Sequence, residues 1–253
     1  MKITTLNLQG FDNWEERVEH ITAYLTREQP DIIFFQEVVF LPDVNARNQV
    51  QLLNDQLHYP YQQTTISRLQ VGLEYAVYRE GLGCLSRYPI TASDTIVLKQ
   101  APGDEHQRII QLLDVAVGDE IIKLTHVHFS ITDFTDFATP QLEETLALLK
   151  ARGEERIMVG DFNLNHLEES IALWGDTYDA STKFPYISYP SMEKRNDYFL
   201  IPKRYSFKDF TGSDDERISD HNALTATIST GPLQRLSKRQ QTSRLISRLV
   251  AHR

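Results

Sequence analysis

Cysteine is almost absent from this chain. Cys84 is the only one among 253 residues, which excludes an intrachain disulfide framework and any cysteine-cluster zinc site. Its setting, Gly83-Cys84-Leu85, suits a small core residue. Long apolar runs are lacking too, and none reaches the ~20 residues that a membrane-spanning helix needs. The first residues, Met1-Lys2-Ile3-Thr4-Thr5-Leu6-Asn7, turn polar too quickly to hold the apolar core of a signal peptide. A soluble, cytoplasmic protein is therefore the expectation. No internal repeat and no low-complexity linker interrupts the sequence. What is present is ordinary for a globular chain: 41% hydrophobic and 24% charged residues.

Acidic residues are missing from the C-terminal stretch. From Leu233 onward there are six basic residues (Arg235, Lys238, Arg239, Arg244, Arg248 and Arg253) and no Asp or Glu. Subtracting these six from 26 basic residues leaves 20 against 35 acidic ones, so the body carries about −15. Such a body argues against tight non-specific duplex binding, which depends on neutralising phosphates with Lys and Arg. It does not argue against an acidic site holding metal ions, which invert the local field. The chain divides into one domain, residues 1–231, and a basic tail, 232–253. Leu236, Leu245, Ile246, Leu249 and Val250 make that tail a candidate amphipathic helix. Its partner is either an anionic surface, such as a membrane or nucleic acid, or the acidic body itself.

Periodicity predicts a strand over Lys2–Leu8 and a helix over Asn13–Glu28, with Trp14, Val18, Ile21 and Leu25 on one face and Asn13 as N-cap. Ile32-Ile33-Phe34-Phe35 reads as a strand buried on both faces within Asp31–Val39. A helix is predicted over Asn45–Leu57. Short strands follow at Tyr61–Ile66, Leu73–Arg79, Leu82–Ser86, Ile90–Leu98, Arg108–Val117 and Ile121–Phe129, separated by turn signals. Gln141–Lys150 and Leu167–Trp174 read as helices. Arg156–Val159, Asp197–Ile201, Ser206–Phe210 and Ala223–Ile228 read as strands. The order suggests two packed sheets with helices outside.

Polar residues recur at the ends of these apolar segments: Asn7, Glu37, His126, Asp161 with Asn163, Asp197, and Asp220-His221. A carboxylate in such a segment is costly unless it is paired or bound to metal. Six segments with one grammar suggest one shared site. Carboxylate and amide oxygens from Glu37, Asp161, Asp220, Asn7 and Asn163 select a hard cation, Mg²⁺ with Mn²⁺ as substitute. His126 and His221 can donate to phosphate oxygens or exchange protons. Neighbouring side chains on a strand face opposite ways, so Asp220 cannot orient His221, and Asp197 is the candidate. His128 lies two residues after His126 and faces the same side. Arg108 either reaches the site or pairs with a surface acid.

The ordered set Asn7, Gln36-Glu37, Thr125-His126, Gly160-Asp161-Phe162-Asn163, Asp197-Tyr198 and Ser219-Asp220-His221 resembles the endonuclease/exonuclease/phosphatase (DNase I-like) superfamily. Gly83-Cys84-Leu85-Ser86-Arg87-Tyr88-Pro89-Ile90 is similar to a further segment of that group. The resemblance implies a four-layer α/β/β/α sandwich of two mainly antiparallel sheets flanked by helices. It implies a Mg²⁺-dependent phosphoester hydrolase in which water attacks phosphorus in line. The roles it implies are Glu37 as principal metal ligand with Asn7 beside it, and Asp220 as second ligand or orienting group. Asp161 would activate the water and Asn163 hold the phosphoryl group. His126 would donate to a phosphate oxygen or the leaving group, and His221, held by Asp197, would bind the scissile phosphate.

Three functions compete. One is a phosphodiesterase or phosphatase for a non-nucleic substrate, the second a DNA or RNA nuclease, the third a silent binding module. The loop 176–196 supplies Lys183, Lys194, Arg195, Tyr178, Phe184, Tyr186 and Tyr189, which suit an anionic substrate with flat groups. Competent residues at every motif position favour an enzyme over the silent module.

Overall fold

The computed structural model describes residues 1–41, 45–70, 78–132 and 135–230. Its strands are β1 (Lys2–Asn7), β2 (Ile32–Phe40), β3 (Tyr61–Gln70), β4 (Tyr78–Ser86), β5 (Ile90–Val97), β6 (Ile109–Val117), β7 (Glu120–His128), β8 (Ile157–Asp161), β9 (Tyr178–Ala180), β10 (Asp197–Pro202), β11 (Tyr205–Gly212) and β12 (Leu224–Thr230). Helices α1 (Trp14–Glu28), α2 (Gln49–Leu57), α3 (Ala138–Ala151) and α4 (Ile171–Trp174) lie between them.

Twelve strands form two six-stranded sheets, ordered β11-β12-β1-β2-β4-β3 and β5-β6-β7-β8-β10-β9. Within each sheet one neighbouring pair is parallel, β1 with β2 and β7 with β8, and the rest are antiparallel. The inner faces meet through Ile3, Phe34 and Cys84 on one side and Leu124, Val159 and Phe199 on the other. The outer face of the first sheet packs Ile33 and Phe35 against Trp14, Ile21 and Leu53 of α1 and α2. The outer face of the second packs Met158 and Leu200 against Leu142 and Leu149 of α3 and Trp174 of α4. Hence the architecture is helix, sheet, sheet, helix. Consecutive Phe34 and Phe35 are both fully buried because each faces a different apolar layer. Each such side chain contributes about 1.5–3 kcal/mol of burial.

Local chemistry moves some boundaries. Asn13 precedes α1 in a left-handed conformation (φ 45°) with no side-chain cap bond, so it is not the hydrogen-bonding cap expected of it. The second helix begins at Gln49 rather than Asn45. There Asn48 Oδ1 accepts from Gln51 N and Gln51 Oε1 accepts from Asn48 N, each at 3.0 Å, a reciprocal capping box that sets the start. The strand expected at Leu73–Arg79 falls largely outside the described residues. Its described end is continuous with Leu82–Ser86 in β4. Leu167–Trp174 is a 3₁₀ turn (Leu167–Ser170) running into α4. The three-residue β9 was not expected. The tail 232–253 lies outside the described residues. Among those described, no helix is long and apolar enough to cross a membrane.

Candidate active site

Both parallel strand pairs point their C-terminal ends to one edge of the sandwich. Asn7 ends β1, His128 ends β7 and Asp161 ends β8. Asp197 opens antiparallel β10 directly opposite Asp161 in the register, and His221 lies just before β12. Ends of strands from both sheets thus converge at one cleft.

Two backbone devices shape it. Gly160 has φ +140°, and a Cβ there would lie 2.0 Å from the Val127 carbonyl oxygen. Only glycine lets β7 and β8 approach closely enough to set His128 beside Asp161. In β2 the pairing with β4 shifts register between Phe35 and Val38, and Glu37 takes a left-handed φ of 53°. This bulge breaks the alternation. Phe35 packs toward the helices, whereas the Glu37 carboxylate meets Asn7 in the cleft.

Asn7 Nδ2 donates to Glu37 Oε1 at 3.1 Å and to Asp161 Oδ2 at 3.0 Å, drawing both carboxylates to one amide. Asn7 Oδ1 accepts from Gln9 N at 2.9 Å. Asp161 Oδ1 accepts from Asn163 N at 2.9 Å, and Asn163 Nδ2 is tied to the Phe129 carbonyl at 2.9 Å. His128 Nε2 lies 3.8 Å and His221 Nε2 3.9 Å from Asp161 Oδ2, gaps that a single substrate or water oxygen can fill. His221 Nδ1 is 2.7 Å from Asp197 Oδ2, and Ser188 Oγ accepts from Asp197 N at 3.0 Å. Asp197 Oδ1 has no partner among the described residues. The Tyr189 ring lies 4.8 Å from the His221 ring, centroid to centroid.

The electrostatics follow from this crowding. Burial, then the nearby Asp197 charge, pushes the Asp161 carboxyl up to about 7. The Glu37 side chain, 31% exposed at the cleft, is raised by lost hydration and then by Glu80. Burial alone would favour neutral His221. The Asp197 charge and hydrogen bond, helped by Asp161 and Asp220, outweigh it and raise His221 to about 10. His221 is thus held in its charged form at neutral pH, bonded to Asp197.

Asp220 sits at one side. Its backbone N donates to Gln9 Oε1 at 3.1 Å and its carboxylate accepts from Ser219 Oγ at 3.2 Å. It lines a cavity of about 780 Å³ with Gln9, Arg17, His20 and Ser219. Asp161, Asp197 and His221 are the described residues that bring ligand-type atoms within 4.8 Å of one another, and Asp220 is not in that group.

The structure does not bring His126 to the cleft. It shares a strand face with His128 but lies two residues, roughly 6.6 Å, deeper between the sheets. Fully buried, it is 2.5 Å from Gln36 Nε2 through Nε2 and 3.4 Å from Gln111 Oε1 through Nδ1. Burial lowers it to about 3, so it is a neutral link between sheets rather than a group facing the cleft. His128 occupies the cleft instead. Alternation put it on the face of His126; that it ends its strand, as Asn7 and Asp161 end theirs, is visible only in the structure. Ser188 and Glu80, also near the site, carried no signal, while Tyr189 stood out only as one of several flat loop residues.

The donor set fits a hard divalent cation. Glu37 and Asp161 bring two carboxylates to one amide, both raised from their ordinary values chiefly by burial, and a nearby cation would favour their charged forms. The Asp161/Asp197/His221 group fits it less well, because Asp197 Oδ2 is already committed to His221.

Comparison with known proteins covers the whole of this arrangement. The model of the Endonuclease/Exonuclease/phosphatase family matches residues 4–221, from β1 to His221. Among curated proteins, none matches the sequence. Among solved structures, an endonuclease/exonuclease/phosphatase family protein from Leptotrichia buccalis is 20% identical with a TM-score of 0.74, covering 90% of this chain and 99% of that one. D. rerio TDP2 complexed with single strand DNA product is 18% identical, TM-score 0.70, over 91% and 99%. The human Nocturnin catalytic domain with bound sulfate is 16% identical, TM-score 0.71, over 90% and 94%. At these identities the likeness is one of fold.

Proposed function

The chain belongs to the endonuclease/exonuclease/phosphatase family, and from that premise we propose that it is a divalent-metal-dependent phosphoester hydrolase acting on a phosphodiester. The observation that carries this reading is the convergence on Asp161 Oδ2 of Asn7, His128 and the Asp197-held His221, within 3.0–3.9 Å.

Asp161 is the base. Oδ1 accepts from the Asn163 backbone and Oδ2 from Asn7 Nδ2, which orients the carboxylate so that Oδ2, nearest the two site histidines, takes a proton from water. His221, charged and oriented by Asp197, binds a non-bridging phosphoryl oxygen and offsets the charge that develops there. His128 donates from Nε2 to a second oxygen. Asn163 fixes Asp161 and borders the phosphoryl position. Glu37 would hold Mg²⁺ or Mn²⁺; Asn7, expected as a ligand, turns Nδ2 to the two carboxylates and Oδ1 to Gln9 N, so that it orients Glu37 instead, and Asp220 would add charge from the flank. The bound ion supplies neutralisation of the phosphoryl oxygens and orientation of the ester.

A nucleic-acid substrate is the second reading. Tyr189 favours it by presenting an aromatic face next to His221, where a base could stack. The test is a panel of a simple aryl phosphodiester, a phosphomonoester, single-stranded DNA, RNA and sphingomyelin with Mg²⁺ or Mn²⁺. Asp161→Asn is the control. Turnover of a diester lost in Asp161→Asn supports the proposal. A protein inert on every phosphoester, or an Asp161→Asn variant as active as wild type, overturns it.

A further inference from the structure

A line of buried polar groups crosses from one sheet to the other behind the cleft. Arg68 on β3 donates Nε and Nη2 to the two carboxylate oxygens of Glu80 on β4, each at 3.1 Å. Glu80 Oε1 lies 3.5 Å from Arg108 Nη1, at the edge of β6. The same Nη1 lies 3.0 Å from Nδ1 of His128 on β7. Arg108 is only 2% exposed, and its Nε has no partner among the described residues. The guanidinium is therefore not placed where all its own donors are satisfied. Its Nη1 is held between one carboxylate and one imidazole.

A guanidinium carries only donors and stays protonated in proteins. Whatever nitrogen faces it must offer a lone pair. We propose that Arg108, held by Glu80, is a positioning residue that confines His128 to the tautomer with its proton on Nε2. That nitrogen is the one facing Glu37 Oε1 at 4.0 Å and Asp161 Oδ2 at 3.8 Å. His128 is then a neutral hydrogen-bond donor to substrate oxygen, since a second proton on Nδ1 would set N–H against N–H. The two site histidines are thus set in opposite states by their second nitrogens. A carboxylate at Nδ1 makes His221 cationic, and a guanidinium at Nδ1 keeps His128 neutral. The catalytic consequence rests on the proposed hydrolase reading, but the tautomer does not.

The experiment is two-bond ¹H–¹⁵N correlation spectroscopy on the full chain labelled at histidine, with the His128 signals identified by their loss in His128→Gln. Wild-type His128 is expected as a single Nε2–H tautomer. An Nδ1–H tautomer or an imidazolium overturns the proposal. Arg108→Met is expected to lose that single tautomer, and Arg108→Lys, which still donates to Nδ1, to keep it. With an aryl phosphodiester, kcat of Arg108→Met should fall about 10–100-fold at little-changed KM, the range for losing the group that orients a functional histidine. A folded Arg108→Met with unchanged tautomer and kcat overturns the role of Arg108. Should Arg108→Met not fold, the wild-type and Arg108→Lys spectra still decide. If no phosphodiester is turned over, the hydrolase reading fails while the spectra still judge the tautomer.

Discussion

His126 and His128 differ by two residues and by depth in the fold. His126 accepts from Gln36 and donates to Gln111, with Gln111 in turn donating to Thr65 Oγ1 at 3.0 Å. Removing it takes one hydrogen bond from each of the buried Gln36 and Gln111 amides and leaves a cavity, so His126→Ala should lose about 2–4 kcal/mol of stability by denaturant unfolding, with kcat little changed. His128→Ala should instead lower kcat by about 100-fold or more, read in the fraction that remains folded, because it removes a proposed donor to substrate. A second residue-scale expectation concerns pH. The folded-state value of His221 is raised to about 10, so its charge is present at neutral pH and lost as pH rises through that value. Asp197→Asn removes the largest of the groups that raise it. The alkaline limb of kcat/KM should move to lower pH, and a pH–rate profile checks it. Residue types and order made Glu37, Asp161, Asp197 and His221 legible in the sequence. The choice between His126 and His128 was not legible from face alone, because alternation specifies which side a residue faces but not how deep it lies.

At the scale of elements, the site depends on two departures from regular strand geometry. Gly160→Ala would drive a methyl group into the Val127 carbonyl and force a residue with a side chain into φ +140°. It should cost roughly 3 kcal/mol or more and separate β7 from β8, read as a large fall in Tm. Ordinary elements were readable because their periodicity is local: α1, α3 and the apolar β2 follow from spacing. The bulge at Glu37 was not, since nothing in Phe35-Gln36-Glu37-Val38 marks a register shift that arises from pairing with β4. The short β9 was missed for a similar reason, being three residues held by β10 rather than by any pattern of their own.

For the whole molecule, two sheets and two helical layers were legible because apolar segments of the right lengths leave few other ways to bury both faces of each sheet. Substrate class is less legible, because it rests on loop side chains such as Tyr189, whose place beside His221 is a tertiary fact. The claim that spans the whole molecule is that both sheets deliver their strand ends to one metal-assisted hydrolytic centre. Its most direct test is hydrolysis of an aryl phosphodiester by EDTA-stripped protein titrated with Mg²⁺, comparing wild type with Glu37→Gln. Wild-type turnover should vanish on stripping and return with Mg²⁺, while Glu37→Gln, with unchanged Tm, should remain at least about 100-fold slower. Chelator-resistant turnover, or equal Mg²⁺-restored rates in the two proteins, would contradict it.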